Sequence, residues 1–372
     1  FKNPHPKRNS KPKETPTFFE RAQQKEYAVE EKQRKSYKSG VIVAMFINSQ
    51  NLIGVKVTDS GKINLTVWKL RQKERIHLSE QKEVELEGTR YLDMNCWSEG
   101  SQWKYNIHKS LLETFEQGPN CYTFWQDTFI VSGFHTDNSF KLHKTDGTLQ
   151  YSVYYHAALV TAVNSCQDLI FTGSLDTSIT AWNSESLNAR SLNPYKTYLG
   201  HKASIRQIEA SHSYQILVSL DSEGVVLFHD VRSGELLKKL PEESSVPQIL
   251  AFSSYGVVVA FANQAIKVYS VNAELIRSEF RTLDTDISCM CFSACEEHLI
   301  IGGDNCIACW DVFEESQSLP AHIRVEFTVR DIVTSPAQDF LVASLQNSEL
   351  LMIGAYNKEQ RETAQRFVQI IA

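Results

Sequence analysis

The sequence predicts an all-β fold, because short apolar runs alternate with turn residues from residue 41 onward. Almost no segment shows the periodicity of an amphipathic helix. The runs have the length of strands, are rich in β-branched and aromatic residues, and are bounded by Gly, Asp, Asn or Ser. Clear examples are VIVAMFI (41–47), DLIFTGS (168–174), GVVVAFA (256–262) and HLIIGG (298–303). Many short strands at regular spacing favour a sandwich, a barrel or a propeller.

An internal repeat favours the propeller among these architectures. Seven strand ends can be aligned: Trp68-Lys69, His143-Lys144, Trp182-Asn183, His229-Asp230, Tyr269-Ser270, Trp310-Asp311 and, less clearly, Met352-Ile353. From His143 onward they recur every 39 to 47 residues. A period of about 40 residues with four short strands is typical of propeller blades. Seven units therefore predict a β-propeller of seven blades over residues 40–372.

The clearest unit, HAALVTAVNSCQDLIFTGSLDTSITAWN (156–183), resembles a WD repeat. In that family a His before the first strand, a Ser or Thr on the second, an Asp in the turn and a Trp on the third form a buried hydrogen-bonded chain. The resemblance assigns these roles to His156, Thr172, Asp176 and Trp182. The chemistry is reasonable, because a buried carboxylate needs donors and an imidazole can link it to a hydroxyl.

The next unit, which begins at Gly200-His201, is predicted to have an incomplete set. It has Ser219 on the second strand, but Glu223 stands at the turn and His229 replaces the Trp. We therefore expect the full chain of four side chains in one unit only.

Charge is divided unevenly along the chain. The net charge is −6, but residues 1–40 hold eleven Lys/Arg against five Asp/Glu, which leaves −12 for the remainder. An acidic body disfavours nucleic acid as a partner. No apolar run is long enough to span a bilayer, and no apolar stretch follows the basic N-terminus as in a secretory signal. Eight cysteines in a chain of this length favour reduced thiols, so we expect a cytoplasmic location.

Two patterns with catalytic or metal-binding alternatives are interpreted as structural. His156, Asp176 and Ser174 could form a hydrolase triad, but their spacing fits the WD-repeat chain position by position. Cys306 and Cys309 could be half of a zinc site, but two residues three apart on a strand point to opposite faces. We expect no catalytic activity, no metal and no cofactor.

An irregular insertion is the best candidate for partner binding. It occupies about residues 88–119 and stretches the spacing from Trp68 to His143 to 75 residues. Its aromatic side chains are of the types that anchor protein interfaces: Tyr91, Trp97, Trp103 and Tyr105. The alternative, that these rings pack the insertion onto the blade rim, is equally open.

Two stretches resemble proteins with a BEACH domain. The segment SGFHTDNSFKLHKTDGTLQYSVYYHAALVTAV (132–163) is similar to the WD repeats that follow such domains. The matching positions are Asp137, Asn138, Ser139, Phe140, Asp146, Gly147, His156, Val160 and Thr161. FKNPHPKR (1–8) is similar to the end of a BEACH domain. The chain thus resembles the propeller of a neurobeachin or beige-like protein, and the degenerate repeats favour a fungal member. Residues 1–39 would be the end of the BEACH domain and a charged linker.

The resemblance implies a non-catalytic scaffold in membrane trafficking and in protein sorting to the vacuole or lysosome. Its partners would be other proteins, including the preceding BEACH domain, and it would lie in the cytoplasm at the surface of a membrane. The alternative is a propeller that binds phosphoinositides or anionic membranes. A Phe-Arg-Arg-Gly motif is absent from the sequence, but basic side chains near the N-terminus could contact anionic lipid: Lys7, Arg8, Lys11 and Lys13.

Overall fold

Seven antiparallel sheets of four strands make up the part of the chain that the structure describes. The structure is a computed structural model. It describes residues 40–48, 50–58, 63–72, 76–86, 119–188, 193–240, 247–262, 265–280, 286–293, 296, 298–313, 321–336, 340–347, 349–354 and 368–371. The predicted all-β class and the seven blades are confirmed.

The sheets, numbered here as blades 1 to 7, follow one another along the chain. Blade 1 contains β1 (Gly40–Ile47), β2 (Asn51–Thr58), β3 (Ile63–Gln72) and β4 (Ile76–Glu85); blade 2 contains β5 (Tyr122–Trp125), β6 (Phe129–Ser132), β7 (Phe140–Lys144) and β8 (Leu149–Val153); blade 3 contains β9 (Val160–Cys166), β10 (Leu169–Ser174), β11 (Ile179–Trp182) and β12 (Lys196–Tyr198); blade 4 contains β13 (Ile205–Ser211), β14 (Ile216–Asp221), β15 (Val226–Asp230) and β16 (Leu236–Lys239). Blade 5 contains β17 (Ile249–Phe252), β18 (Val257–Ala262), β19 (Ala265–Ser270) and β20 (Leu275–Phe280); blade 6 contains β21 (Ile287–Phe292), β22 (His298–Gly303), β23 (Cys306–Asp311) and β24 (Ala321–Arg324); blade 7 contains β25 (Val329–Thr334), β26 (Phe340–Leu345), β27 (Leu350–Gly354) and β28 (Val368–Ile371). A short helix, α1 (Ser184–Asn188), lies between β11 and β12, and a 3₁₀ turn, Pro119–Cys121, precedes β5.

The first strands of the seven blades form a closed ring. Each of them contacts the first strand of the next blade, and β25 contacts β1. Because neighbouring strands within a blade are antiparallel, the connections are divided between two faces. We call the face with the links from second to third strand, and from each fourth strand to the next blade, the upper face. The links from first to second and from third to fourth strand lie on the lower face.

Apolar packing between neighbouring blades holds the ring together. The buried apolar residues form seven clusters within the described residues, and each cluster draws on two adjacent blades. At the contact of blades 2 and 3, for example, the ring of Trp182 is fully buried and packs 5.4 Å from the ring of Phe140. A central strand with both faces covered must be apolar on both faces. This explains why many second strands read as continuous apolar runs.

The inner edge of each blade leaves little room beside its neighbour. A Cβ atom on Gly173, near the end of β10, would lie 2.5 Å from Cγ2 of Ile205, the first residue of β13. Real Cβ contacts are not that short, so the close approach of blades 3 and 4 requires glycine at this position.

No shared strand links the two ends of the ring within the described residues. Blade 1 consists of the first four strands and blade 7 of the last four. An apolar cluster joins them instead, with Ile42 and Trp68 of blade 1 packed among Val342 and Met352 of blade 7. A hydrogen bond of 2.7 Å from the N–H of Met45 to Oδ2 of Asp331 crosses the same junction. Burial raises the pKa of the Asp331 carboxyl to about 7, although the N–H groups of Met45 and Ile332 oppose the shift.

The wild-type protein should lose stability as the pH rises from 6 to 8, and we expect this loss to be smaller in Asp331→Asn. The folded-state pKa of Asp331 is raised from its ordinary value of 3.8 to about 7. The contribution of protonated Asp331 to the free energy of unfolding is therefore fully present below pH 3.8 and is lost as the pH rises through 7. One unit of pKa corresponds to about 1.4 kcal/mol, so the effect is on the order of 1 kcal/mol between these pH values.

Urea unfolding of both proteins at the two pH values measures this difference. Glu235→Gln, which alters an exposed carboxylate, serves as the control and should leave the pH dependence unchanged. An equal pH dependence in wild type and Asp331→Asn would contradict the assignment.

Candidate functional site

The upper face of blade 3 brings together the four side chains that the repeat pattern singled out. His156, in the link between β8 and β9, has Nδ1 3.1 Å from Oδ2 of Asp176 and Nε2 2.9 Å from Oγ1 of Thr172. Nε1–H of Trp182 donates to the same Thr172 oxygen over 3.1 Å. The hydroxyl of Thr180 also lies 3.0 Å from His156 Nε2. The sequence pattern did not include Thr180.

The Asp176 carboxylate is held in place by the main chain on either side of it. Oδ2 accepts the N–H of Ala157 at 2.9 Å, and Oδ1 accepts the N–H of Ser178 at 3.0 Å. Burial raises the pKa of Asp176, but hydrogen bonds from His156 and Ser178 outweigh burial, so the pKa lies well below its ordinary value of 3.8. The network joins the link before β9 to the turn between β10 and β11. It acts as a structural clamp.

The hydroxyl groups at Nε2 of His156 are not available as nucleophiles for a substrate. The hydroxyls at His156 Nε2 belong to Thr172 and Thr180, and both residues are fully buried. Ser174, the alternative nucleophile, donates instead to the carbonyl of Ala158 over 3.0 Å. A serine hydrolase needs an accessible hydroxyl bonded to its base, and His156 has none among these three.

Blade 4 contains a second clamp, which corrects the expectation from its sequence. Nδ1 of His201 lies 2.9 Å from Oδ2 of Asp221, and Nε2 lies 2.7 Å from Oγ of Ser219. The carboxylate thus comes from Asp221, the last residue of β14, whereas Glu223 is exposed in the turn. The repeat alignment missed Asp221 because it stands two residues after Ser219, whereas Asp176 stands four residues after Thr172. The sequence clue is an Asp directly at the end of the second strand.

The position of the missing tryptophan is filled by His229. Its backbone pairs with Leu217 as that of Trp182 pairs with Ile170. Nε2 of His229 lies 2.9 Å from the carbonyl of Leu199, so a proton on this nitrogen can be donated to the link before β13. Burial lowers the pKa of His229, which favours the neutral imidazole.

The cysteine pairs of blade 6 lie on strands. Cys306 and Cys309 are both within β23, and Cys289 and Cys291 are both within β21. Burial raises the pKa of Cys289 and of Cys291. Zinc is bound by the thiolate, which a raised pKa disfavours. In the part of the chain that the structure describes, no group of three or more His, Cys, Asp or Glu side chains could hold a metal ion.

The other sequence candidates lie outside the described residues. They are Tyr91, Trp97, Trp103 and Tyr105 of the insertion and Lys7, Arg8, Lys11 and Lys13 of the basic N-terminal stretch. Their proposed roles stay predictions. Among the helices that the structure does describe, none has the length and apolarity needed to cross a bilayer.

Three exposed aromatic side chains form a surface feature that the repeat pattern did not indicate. Tyr214, Tyr255 and Phe313 are 41%, 59% and 51% exposed and come from lower-face links of blades 4, 5 and 6. The rings of Tyr255 and Phe313 meet edge to face with centroids 6.3 Å apart. The hydroxyl of Tyr214 donates to the carbonyl of Tyr255 over 2.9 Å. We call these three residues the aromatic patch.

Contacts between neighbouring turns hold the aromatic patch in place. Gly256 has φ of +81°, and a Cβ atom there would lie 2.6 Å from Cζ of Tyr214, so the tyrosine ring packs directly on the glycine backbone. On the other side, Glu296 of blade 6 accepts hydrogen bonds from Oγ of Ser253, over 2.8 Å, and from the N–H of Ser254. The turn that carries Tyr255 is therefore tied to both adjacent blades.

Comparison with known proteins identifies the family of this fold. A family model described as the neurobeachin beta propeller domain matches residues 101–362, which is more than half of the chain. The chain belongs to the neurobeachin beta-propeller family. The predicted recognition of a propeller from a BEACH-family protein is thereby confirmed, while its placement among fungal members stays a prediction.

Several curated proteins are similar to this neurobeachin-family propeller. BEACH domain-containing protein B of Arabidopsis thaliana is 27% identical over 227 residues, which are 54% of this chain and 9% of the relative. A putative neurobeachin homolog of Caenorhabditis elegans is 24% identical over 272 residues, 68% of this chain and 11% of the relative. Beige protein homolog 1 of Saccharomyces cerevisiae is 27% identical over 86 residues, 23% of this chain and 4% of the relative. The matched regions thus span about a tenth or less of the length of these proteins.

We expect Asp221→Ala to destabilise the propeller, while Glu223→Ala has little effect. Asp221 is 1% exposed, and its loss removes the partner of His201 Nδ1 and of the N–H groups of Glu223 and Val225. A buried polar group that loses its hydrogen-bond partner lowers the free energy of unfolding by about 1–3 kcal/mol. A surface substitution away from such contacts changes stability by at most about 0.5 kcal/mol. Urea unfolding curves of the two variants measure the difference.

The pH dependence of the same effect provides a second measurement. Burial raises the pKa of Asp221, but hydrogen bonds from His201 and from the N–H of Val225 lower it below 3.8 overall. The stability that ionised Asp221 contributes is therefore present above pH 3.8 and is lost as the pH falls below that value. The stability difference between wild type and Asp221→Ala should shrink towards pH 3, and equal effects of both alanine variants at pH 7 would refute the second clamp.

Proposed function

We propose that this neurobeachin-family propeller is a non-catalytic platform that binds partner proteins through the aromatic patch on its lower face. The observation that carries the proposal is the contact of Tyr214, Tyr255 and Phe313 across three blades. All three side chains remain exposed, although Tyr214 bonds the main chain of Tyr255 and the ring of Tyr255 meets that of Phe313. The family supports the coarser statement, because propeller domains of this kind mediate interactions between proteins.

The chemistry of the patch suits a protein partner. Tyrosine and phenylalanine rings offer a large contact area with few rotatable bonds, and such aromatic residues are enriched where interfaces bind most strongly. The hydrogen bonds of Tyr214 and Glu296 fix the turns before any partner arrives. Less conformational freedom is then lost on binding, which favours affinity.

The wider role that we propose is a part in membrane trafficking and in protein sorting to the vacuole or lysosome. The resemblance of the sequence to BEACH proteins motivates this role, and the similar proteins include one named for its BEACH domain. We further propose that the chain works in the cytoplasm at a membrane surface and that a BEACH domain is among its partners. The insertion with Tyr91, Trp97, Trp103 and Tyr105 is a second candidate contact region.

We expect the double substitution Tyr255→Ala/Phe313→Ala to abolish most partner capture by the 372-residue chain. Removal of two central aromatic side chains from an interface costs about 2 kcal/mol or more, which corresponds to at least about a thirtyfold loss of affinity. Quantitative pull-down from cell extract, followed by mass spectrometry, measures the loss for each captured protein.

Tyr154→Ala is the matched control for this experiment. Tyr154 is 57% exposed, nearly the same as Tyr255, but it lies in an upper-face link. It should leave capture unchanged.

A parallel deletion of residues 90–117 tests the insertion. Capture that depends on the deletion but not on Tyr255 and Phe313 would reject the aromatic patch as the interface, and capture that survives both changes would reject both contact regions.

Binding to anionic membranes is the second candidate function, and the charge of the N-terminal stretch favours it. Residues 1–40 carry eleven basic against five acidic residues, and each basic residue near an anionic surface contributes about 1 kcal/mol. We expect the chain to float with phosphatidylserine vesicles at low salt. Replacement of Lys7, Arg8, Lys11 and Lys13 by Gln should weaken this flotation. Flotation that is absent at low salt, or that is unaffected by the substitutions, would argue against the candidate.

A further inference from the structure

The seven first strands enclose a central channel with a volume of about 500 Å³. This volume lies within the range of about 300–1,000 Å³ that is usual for sites of small molecules. No part of the clamps or of the aromatic patch lines it. Its charged and polar side chains therefore need a separate explanation.

Two arginines occupy equivalent positions in the channel wall. In several blades the pairing register shifts near the start of the first strand, which leaves one bulged residue. Arg206 is this residue in blade 4, between Ile205 and Gln207, and Arg330 is the same residue in blade 7. Because the register positions are equivalent, the two residues lie at the same level of the channel, close to the upper face where the first strands begin.

Smaller side chains at the equivalent bulge positions serve to join the blades. The hydroxyl of Thr161 in blade 3 donates to the carbonyl of Ile205 over 2.6 Å. The hydroxyl of Ser288 in blade 6 donates to the carbonyl of Val329. These contacts join adjacent blades, and a short side chain with a hydroxyl group is sufficient to make them. The arginine side chains are much longer, and both line the channel.

Arg206 has no such structural role for its guanidinium group. Its main-chain carbonyl accepts a hydrogen bond from Asn120, at 3.4 Å, but within the described part of the chain its guanidinium makes no hydrogen bond or ion pair. The contact to blade 5 comes from the next residue, since Nε2 of Gln207 donates to the carbonyl of Leu250 over 2.7 Å. Burial lowers the pKa of Arg206, yet a guanidinium remains charged in proteins.

The acidic side chains in the channel do not neutralise this charge. Oε1 of Glu209 accepts a hydrogen bond from Gln207 at 2.9 Å, and Oδ2 of Asp331 accepts the N–H of Met45. Both carboxyls are thus occupied by neutral donors. Burial raises the pKa of each to about 7, which favours the neutral, protonated form over the charged one. Among the described residues neither carboxyl bonds the guanidinium of Arg206, which therefore adds a positive charge to the channel wall.

We propose that the channel is a binding site for the phosphate group of a small molecule, held by Arg206 and Arg330 at its upper mouth. A guanidinium offers parallel N–H donors that match the oxygens of a phosphate, and hydrogen bonds between charged groups are stronger than those between neutral ones. The phosphate is either part of a soluble compound or the headgroup of a lipid. The site is independent of the aromatic patch, which lies on the opposite face.

Titration calorimetry of the full 372-residue chain with inositol hexakisphosphate, and with inorganic phosphate, tests the proposal. We expect Arg206→Gln and Arg330→Gln each to weaken binding of the hexakisphosphate by at least about tenfold. Arg232→Gln is the control, because Arg232 is exposed on the lower face, where its Nε donates to Gln215. The basic residues 1–40 can attract polyanions as well, so the difference between the variants is the decisive measurement.

Thermal unfolding of each variant separates loss of binding from loss of the fold. Arg206→Lys keeps the charge at the bulge but not the planar fork, so it should bind more weakly than wild type and more tightly than Arg206→Gln. If neither the hexakisphosphate nor the vesicles described below bind, or if folded Arg206→Gln binds the hexakisphosphate as wild type does, the proposal is wrong.

Vesicles that contain phosphatidylinositol phosphates distinguish the two sources of the phosphate. Vesicle binding that Arg206→Gln abolishes identifies a lipid headgroup as the ligand. Binding of the soluble compound alone, with the same loss in the variant, identifies a soluble ligand. Vesicle binding that is unaffected by the variant, with no binding of the soluble compound, would overturn the site.

Discussion

The structure depends on one requirement, namely that each four-stranded sheet must cover two apolar faces. An isolated sheet cannot do this, because both of its faces would remain in contact with water. Seven sheets arranged in a ring solve the problem, since each of the seven apolar clusters lies between two neighbouring blades. The ring has no free end only if blade 7 packs on blade 1. The cluster around Trp68 and Val342, together with the bond from Met45 to Asp331, provides this contact.

Polar side chains then hold the links between blades at defined positions. The histidine clamp of blade 3 fixes the link before the first strand to the second and third strands, and the clamp of blade 4 fixes the corresponding link to the second strand. On the lower face, Tyr214 and Glu296 connect the turns of three blades. In the channel, Thr161 and Gln207 hydrogen-bond to the first strand of the next blade. A scaffold fixed at both faces and at its centre can present side chains in constant positions.

The sequence predicted some parts of the site and missed others for identifiable reasons. His156, Thr172, Asp176 and Trp182 have the spacing of their family, so they could be named before their contacts were known. Asp221 could not, because its distance from Ser219 departs from that spacing. The aromatic patch was also missed, since Tyr214, Tyr255 and Phe313 are far apart in the sequence and follow no common motif. Only the packing of neighbouring blades brings Tyr214 to the main chain of Tyr255 and the ring of Tyr255 to that of Phe313.

The sequence by itself determined the all-β class, the repeat of about 40 residues, the seven blades and the resemblance to the propellers of BEACH proteins. Each of these follows from local pattern, because strand length, turn residues and repeat spacing are properties of neighbouring residues. The tertiary structure decided how the ring closes, which carboxylate serves His201, which aromatic side chains meet, and that Arg206 and Arg330 lie at one level of the channel. These features arise between segments far apart in the sequence, where the register of one strand against another determines which side chains come into contact.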